Sequence, residues 1–381
     1  MSTLHGQMVA WRHHLHQNPE LSQNEYMTAS FVAEILRSMG IEVTEGVGGT
    51  GVIGTLKVGD GPRVIGLRAE MDAIPLTEQT DRPYGSKNPG AMHACGHDGH
   101  MAALLGAAAK LAESRDFNGT VRFIFQPDEE TGHGAMMMMA DGLLERFPVN
   151  EIYGFHNMPF IPAGKIAMKT GGIMASEDNF VITIKGLGGH AAQPHRAKDA
   201  MVIAAEIILA IQTIVSRNIN PACSSVISLT EISSDGVHNV IPGTVVIKGD
   251  TRSLDPESQR IVENRMRELC NNICRMNGAE CDFEFTYEFI PTVNDPTHMT
   301  YAAEAATKVV GAENVDTNVV APLTSEDFGR FLKEIPGCFC FIGSGRTDDD
   351  PALHNAKYDF NDDILETGAD FFAQLVRDRL K

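Results

Sequence analysis

Long apolar runs, paired cysteines and excess positive charge are all scarce in this chain of 381 residues. No run approaches the ~18–20 apolar residues that a membrane span requires, so no membrane partner is expected. The 7 cysteines are odd in number and scattered over the chain, which argues against a disulfide framework. Lys and Arg together number 31 against 50 Asp and Glu, a formal net charge of −19, so a nucleic-acid backbone is a poor natural partner. Residues 1–17 interrupt their apolar positions with His, Arg and Gln, unlike a signal peptide. What is present is ordinary for a soluble globular protein: 43% hydrophobic and 21% charged residues. The length suits two domains of ~100–200 residues, and the expected location is the cytoplasm.

Apolar residues at helical spacing run through 8–39 (Met8, Trp11, Leu15, then Phe31, Val32, Ile35, Leu36), with Pro19 separating two helices and Gly40 as a C-terminal stop. From Ile41 the pattern turns to β-branched runs cut by glycine-rich turns. Strands are expected at 52–58, 64–68, 121–126 and 151–156, and helices at 99–114 and 135–147. Alternating strands and helices imply an α/β sheet covered on both faces. Near Ser176 the rhythm changes. Strand 179–185, helix 197–215, strands 225–232 and 243–251, helix 256–276 and strand 280–286 follow the β-α-β-β-α-β order of a ferredoxin-like fold. The α/β rhythm resumes after Pro291, with a strand at 338–342 and a helix at 364–379. The expected fold class is therefore α/β: a mixed-sheet domain of residues 1–176 and 290–381, covered by helices, with an inserted α+β ferredoxin-like domain at 177–289. The run Met136–Met139 reads as core packing.

The segment 93–100, His-Ala-Cys-Gly-His-Asp-Gly-His, crowds three histidines, a cysteine and an aspartate into a glycine-rich turn before a helix. Thiolate and imidazole are borderline-soft ligands suited to divalent transition metals. The bland alternative is a polar helix start with Asp98 as N-cap and exposed histidines. Glu129 and Glu130 follow a largely apolar strand, Asp72 follows another, and His156 ends a third. Carboxyl ends of strands in an open α/β sheet are where sites are built. Two adjacent carboxylates there divide labour if one binds a metal and the other moves protons. A lone strand-end histidine is usually structural, but several polar strand ends in one sheet point to a common site. A thiol amidase with Cys95 as nucleophile and His97 or His100 as base is a rival, though it leaves Glu130 and His156 without a task. A non-catalytic binding protein is a second rival.

The runs at 12–21 (Arg-His-His-Leu-His-Gln-Asn-Pro-Glu-Leu), 68–76, 95–100, 126–130, 188–192 (Gly-Gly-His-Ala-Ala), 239–242 (Asn-Val-Ile-Pro) and the surroundings of His354 carry a resemblance. In that order, and over nearly the whole chain, they resemble the M20 metallopeptidase family. The similarity is to its amidohydrolase branch of hippurate hydrolases, N-acyl-amino-acid deacylases and auxin-conjugate hydrolases. The resemblance implies a metal-dependent hydrolase of linear amide bonds with two divalent ions per subunit, Mn²⁺ or Zn²⁺, with Co²⁺ or Ni²⁺ as alternatives. It implies five ligands: Cys95, in place of a metal-bridging aspartate, with His97, Glu130, His156 and His354. Glu70 stands where relatives have a ligand histidine, for which His97 compensates. Asp72 would orient a ligand histidine, Glu129 would be the general base, and His190 on the inserted lid would reach the partner's site in a homodimer. Asn239 and Arg252 are lid candidates for a substrate carboxylate, although Arg252 has Asp250 and Asp255 nearby to pair with. The substrates implied are N-acyl amino acids, with peptides or aromatic amines as alternatives. Asp128 departs from the branch, which often has a small residue there, and the neighbouring His133 reads as exposed.

Overall fold

The computed structural model describes residues 3–347 and 349–381. The chain divides into two units: Met1–Ile173 with Val293–Val320 and Asp327–Lys381, and Met174–Thr292 with Ala321–Glu326. The smaller unit thus begins close to the expected 177 and ends close to 289. Its outlying piece, Ala321–Glu326, has no local sequence signal. It joins through backbone contacts such as Ala175 N–H to Thr324 O, 2.8 Å, which only the folded chain reveals.

In the larger unit, helices α1 (Leu4–Gln17) and α2 (Tyr26–Ser38) precede strands β1 (Glu42–Val47), β2 (Gly51–Val58) and β3 (Val64–Glu70). Helix α3 (His97–Ser114), strand β4 (Gly119–Gln126) and strand β5 (Glu151–Pro162) follow. The 8-stranded mixed sheet has the order β1-β2-β4-β3-β5, then Gly337–Gly345, Ile166–Ala167 and Val315–Asp316. β2 and β3, neighbours in sequence, are separated by β4, which pairs antiparallel with β2 and parallel with β3. Helix α3 is buried along nearly its whole length, so its apolar residues form no narrow stripe. The helix expected over 135–147 breaks into Gly134–Ala140 and Leu143–Arg146 at a left-handed glycine, Gly142, φ 82°. Pro296–Val310 is a further helix, capped by Asp295, that the pattern reading did not single out.

The smaller unit is an antiparallel four-stranded sheet in the order Ser225–Ser234, Thr244–Ser253, Glu177–Lys185, Glu280–Phe289, with helices Ala200–Arg217 and Pro256–Met276. This is the ferredoxin-like topology. Ile203, Ala204, Ile207, Ile211 and Ile214 fill its core together with Cys270 and Cys274, so those two cysteines are packing residues. Helix Ala200–Arg217 has a mean hydropathy of 1.7 over 18 residues and passes by length and composition as a membrane span, contrary to the expectation that no run would. Its isoleucine face is nevertheless committed to the sheet of this unit, while Met201, Val202 and Leu209 on its other side are exposed.

Candidate metal and hydrolytic centre

β3 and β4 deliver their last residues to one end of the sheet. Asp72 lies just past β3, and the turn holding Asp128, Glu129 and Glu130 lies just past β4. His156 is not at a strand end, as the pattern suggested, because β5 continues to Pro162; it sits within the strand, paired with Phe341. Helix α3 begins at His97, capped by Gly96 rather than by Asp98. Gly96 is left-handed at φ 99°, and a Cβ there would stand 2.2 Å from Asn157 Oδ1, so only glycine lets the Cys95 turn approach β5 this closely. The Asp98 carboxylate is turned instead to His16, 2.8 Å, and Arg12, 3.7 Å. His93, His97 and His100 are buried, which rules out the exposed-histidine alternative.

Within this unit the five expected ligands meet. Cys95, His97 and His156 present ligand atoms within 4.8 Å of one another, as do Cys95, Glu130 and His354, so the Cys95 thiol is common to both trios. Glu129 joins His97 and Glu130 in a third. Cys95 Sγ lies 3.3 Å from His156 Nε2, His354 Nε2 3.5 Å from Glu130 Oε2, and His97 Nε2 3.9 Å from both Glu129 Oε2 and Glu130 Oε1. Two atoms bound ~2.0–2.3 Å from one ion at a tetrahedral angle stand roughly 3.3–3.8 Å apart. The imidazoles are also turned for ligation. His156 Nδ1 donates to Asn157 O at 2.8 Å and His97 Nδ1 to Asp72 O at 2.9 Å, leaving both Nε2 atoms facing the cluster. His97 Nε2 and Glu130 Oε1 are buried without a hydrogen-bond partner, which suits an ion between them.

Electrostatics point the same way. Burial holds the His156 imidazole well below its usual range, helped by His100 and His97, so it is neutral. Burial also works against charge on His97, but the Asp72 hydrogen bond and the Glu70, Asp72 and Glu130 carboxylates outweigh it and push that group up to about 10. Burial, then Glu130, Glu129 and Glu70, push the Cys95 thiol well up. An unaided Cys95 thiolate nucleophile is therefore disfavoured, whereas a divalent cation would neutralise the excess negative charge and ionise the thiol. The residues present thus fit a pair of divalent ions.

Supporting residues complete the centre. Asp72 Oδ2 accepts the Glu130 N–H at 3.0 Å and the Ser22 hydroxyl at 2.8 Å. Glu70 is no ligand trio partner of Cys95. Its carboxylate takes the buried Arg68 guanidinium and His100 Nδ1, 2.8 Å, and His100 Nε2 reaches Asn157 Oδ1 at 2.8 Å. Arg68 also meets Asp327 at 2.8 Å, and Gln126 donates to the same carboxylate. Asp327 had no signal in the sequence, lying about two hundred residues from β4. His133 is exposed, with its Nδ1 2.8 Å from the Thr131 hydroxyl. In the smaller unit, His190 and Val240 are ladder partners and Ala191 N–H donates to Asn239 O at 3.1 Å, so His190 and Asn239 are neighbours. Arg252 is engaged by Asp250, 2.6 Å, and Glu177, 2.7 Å; Asp255 instead caps helix Pro256–Met276.

Known proteins resemble this chain over nearly its whole length. The chain is 40% identical to a hippurate hydrolase of Campylobacter jejuni over 99% of its own length and 98% of that protein's. It is 39% identical to an N-acetyl-L-cysteine deacetylase of Bacillus subtilis, over 96% and 86%. Its fold superposes with a TM-score of 0.86, at 33% identity and over 99% and 98% of the two chains, on a dinuclear metal-binding M20 peptidase of Bacillus subtilis. Residues 66–378 match Peptidase family M20/M25/M40, and with that match added to overlapping ligand trios around Cys95, the chain belongs to this family and is a hydrolase of amide bonds.

Proposed function

We propose that this protein cleaves the amide bond of N-acyl amino acids, acetyl or benzoyl conjugates among them, with water as nucleophile and Glu129 as general base. The observation that carries the reading is the pair of ligand trios sharing Cys95, with the Glu129 carboxylate against His97 at their edge. Similarity to a hippurate hydrolase and an N-acetyl-L-cysteine deacetylase supports the acyl-amino-acid class.

Cys95, His97, Glu130, His156 and His354 would hold the ions, of which Zn²⁺ and Mn²⁺ suit this mixed donor set, as do Co²⁺ and Ni²⁺. Such ions supply a water acidified to a pKa of about 7 and polarisation of the scissile carbonyl. Glu129 accepts the proton of the attacking water and returns it to the departing nitrogen, a transfer typically contributing about 10²–10⁴-fold. Its 6% exposure keeps that proton from exchanging freely with solvent. Asp72 keeps the His97 ring oriented through its carbonyl oxygen. The smaller unit is read as a lid and dimerisation domain, with His190 donating to the oxyanion of the partner's substrate and Asn239 and Arg252 as its candidates for the substrate carboxylate.

The test is hydrolysis of N-acetyl- and N-benzoyl-amino acids beside matching dipeptides, before chelation, after it, and after adding back single metals. Release of free amino acid that chelation abolishes and metal restores supports the reading. Turnover of dipeptides alone would transfer it to the carboxypeptidase class, to which a 38%-identical relative named thermostable carboxypeptidase 2 also points. The shared-site component is tested by mixing His190→Ala and Glu129→Gln subunits. Recovered activity after proven exchange supports it, and none refutes it.

A further inference from the structure

The turn that carries Glu129 is gripped from both sides by buried carboxylates. Asp72 takes the N–H of Glu130 at 3.0 Å, as described above. The N–H of Asp128 goes to Glu25, at 3.0 Å to Oε1. The same Glu25 oxygen accepts the N–H of Gln23 at 2.9 Å, and its other oxygen accepts the Thr50 hydroxyl at 2.6 Å. Glu25 is fully buried and occupies the N-cap position of α2, yet its side chain makes no cap bond to that helix. A buried carboxylate at a helix start ordinarily serves the helix's own N–H groups. This one serves a different element.

The backbone explains why. Gln23 and Asp128 are two of only four non-glycine residues with positive φ among the described residues, at 65° and 53°. Left-handed backbone is unfavourable for side-chain-bearing residues and persists where surroundings over-determine it. Here one carboxylate oxygen binds both strained N–H groups, and the Gln23 amide donates to the Asp128 carboxylate at 2.8 Å. Thr131 donates to the other Asp128 oxygen at 2.5 Å, and Gly134 N–H to the Asp128 carbonyl at 2.9 Å. Ser22, from the same short loop, donates to Asp72 at 2.8 Å. The loop 22–25 therefore holds both carboxylate-bearing turns that flank Glu129.

We propose that Glu25 is a positioning residue for hydrolysis: it fixes the Asp128 backbone so that the Glu129 carboxylate stays aimed at the water it deprotonates. This rests on the assignment of Glu129 as base. Misplacing a catalytic group by about 1 Å costs on the order of 100-fold in rate, so the clamp matters without touching substrate.

The test uses the metal-loaded full chain with Glu25→Ala and Glu25→Gln, an N-acyl amino acid as substrate, and deuterium exchange of the segment 126–134. In Glu25→Ala, exchange in that segment should accelerate about tenfold or more. Its kcat per folded, metal-loaded subunit should fall about 10- to 100-fold with KM nearly unchanged. Glu25→Gln should recover most of both, because its amide oxygen accepts the same two N–H groups and its NH₂ can donate to Thr50. A general loss of packing would lower the melting temperature without this split between kcat and KM and without rescue by glutamine. Should Glu25→Ala not fold, Glu25→Asp draws the acceptor back by about 1.5 Å and is read by the same two quantities. Unchanged exchange in 126–134, or kcat within twofold of the parent, overturns the proposal. If the parent itself proves inactive on these substrates, the functional reading fails and the exchange arm still decides the clamp.

Discussion

Replacing Asp72 with asparagine would probe the link between hydrogen bonding and metal affinity most directly. Burial alone would raise the Asp72 carboxyl, but His97 beside it, with the Glu130 N–H and the Ser22 hydroxyl, holds it below its ordinary range, so it is ionised at neutral pH. Oδ2 accepts from Glu130 N and Ser22 Oγ, while Oδ1 lies 3.4 Å from His97 Nδ1. An asparagine can turn its NH₂ either way, and both choices fail. Placed at the Oδ2 position it confronts the Glu130 N–H, leaving a buried donor without an acceptor, at about 1–3 kcal/mol. Placed at the Oδ1 position it lies 3.4 Å from His97 Nδ1, whose N–H goes to the Asp72 carbonyl oxygen, and it withdraws the negative charge that makes the ring a stronger ligand. Outer partners of this kind typically carry about 10- to 100-fold of metal affinity, or about 1.4–2.7 kcal/mol. Competition with a chromophoric chelator for Zn²⁺, at constant pH, would measure it. We expect Asp72→Asn to lose affinity in that range and Ser22→Ala to lose less, since it removes a single donor. Affinity within twofold of the parent in Asp72→Asn would refute the reasoning.

Glu129→Gln should keep full metal stoichiometry by mass spectrometry and lose about 10²–10⁴-fold in kcat; retention of activity with metals bound would remove its role as base. Gly99→Ala places a Cβ 2.2 Å from the buried Phe360 ring, so overpacking of about 1–3 kcal/mol outweighs the better helix propensity of alanine, and calorimetry should show a lower melting temperature. His16 is buried, which disfavours its charge, but Asp98 and Glu78 overcome this and lift it to about 9. That stabilisation is full below the unfolded value of about 6.5 and is lost as pH rises through about 9, amounting to about 3 kcal/mol. Melting curves between pH 6 and 10 should show this alkaline loss in the parent and a flatter profile in His16→Gln; parallel profiles would contradict it.

Much of this protein is legible along the chain because its signals are local. The β-α-β-β-α-β order of the smaller unit follows from hydrophobic period and turn residues, each a property of ten or so consecutive positions. Helix Pro256–Met276, with Asp255 as cap and proline at its first position, is bounded by residues adjacent to it. Cys95, His97, Glu129 and Glu130 likewise occur in two short runs whose chemistry announces itself.

Other features depend on segments far apart in sequence. The placement of β4 between β2 and β3 depends on which edges pair after collapse, and both hairpin and crossover orders share the same local pattern. The break at Gly142 is decided by tertiary packing overriding a continuous helical pattern. Asp327 reaches Arg68 across 259 positions, and Glu25 reaches the Asp128 amide across 103. A buried carboxylate's partner is set by whichever backbone arrives beside it, so no spacing rule marks Glu25 as more than a polar residue before a helix. The sequence alone determined most of the elements and the kinds of side chain available to the site. The tertiary structure decided which carboxylates hold the others in place, because hydrogen-bond partners, unlike periodicities, exist only once distant strands have met.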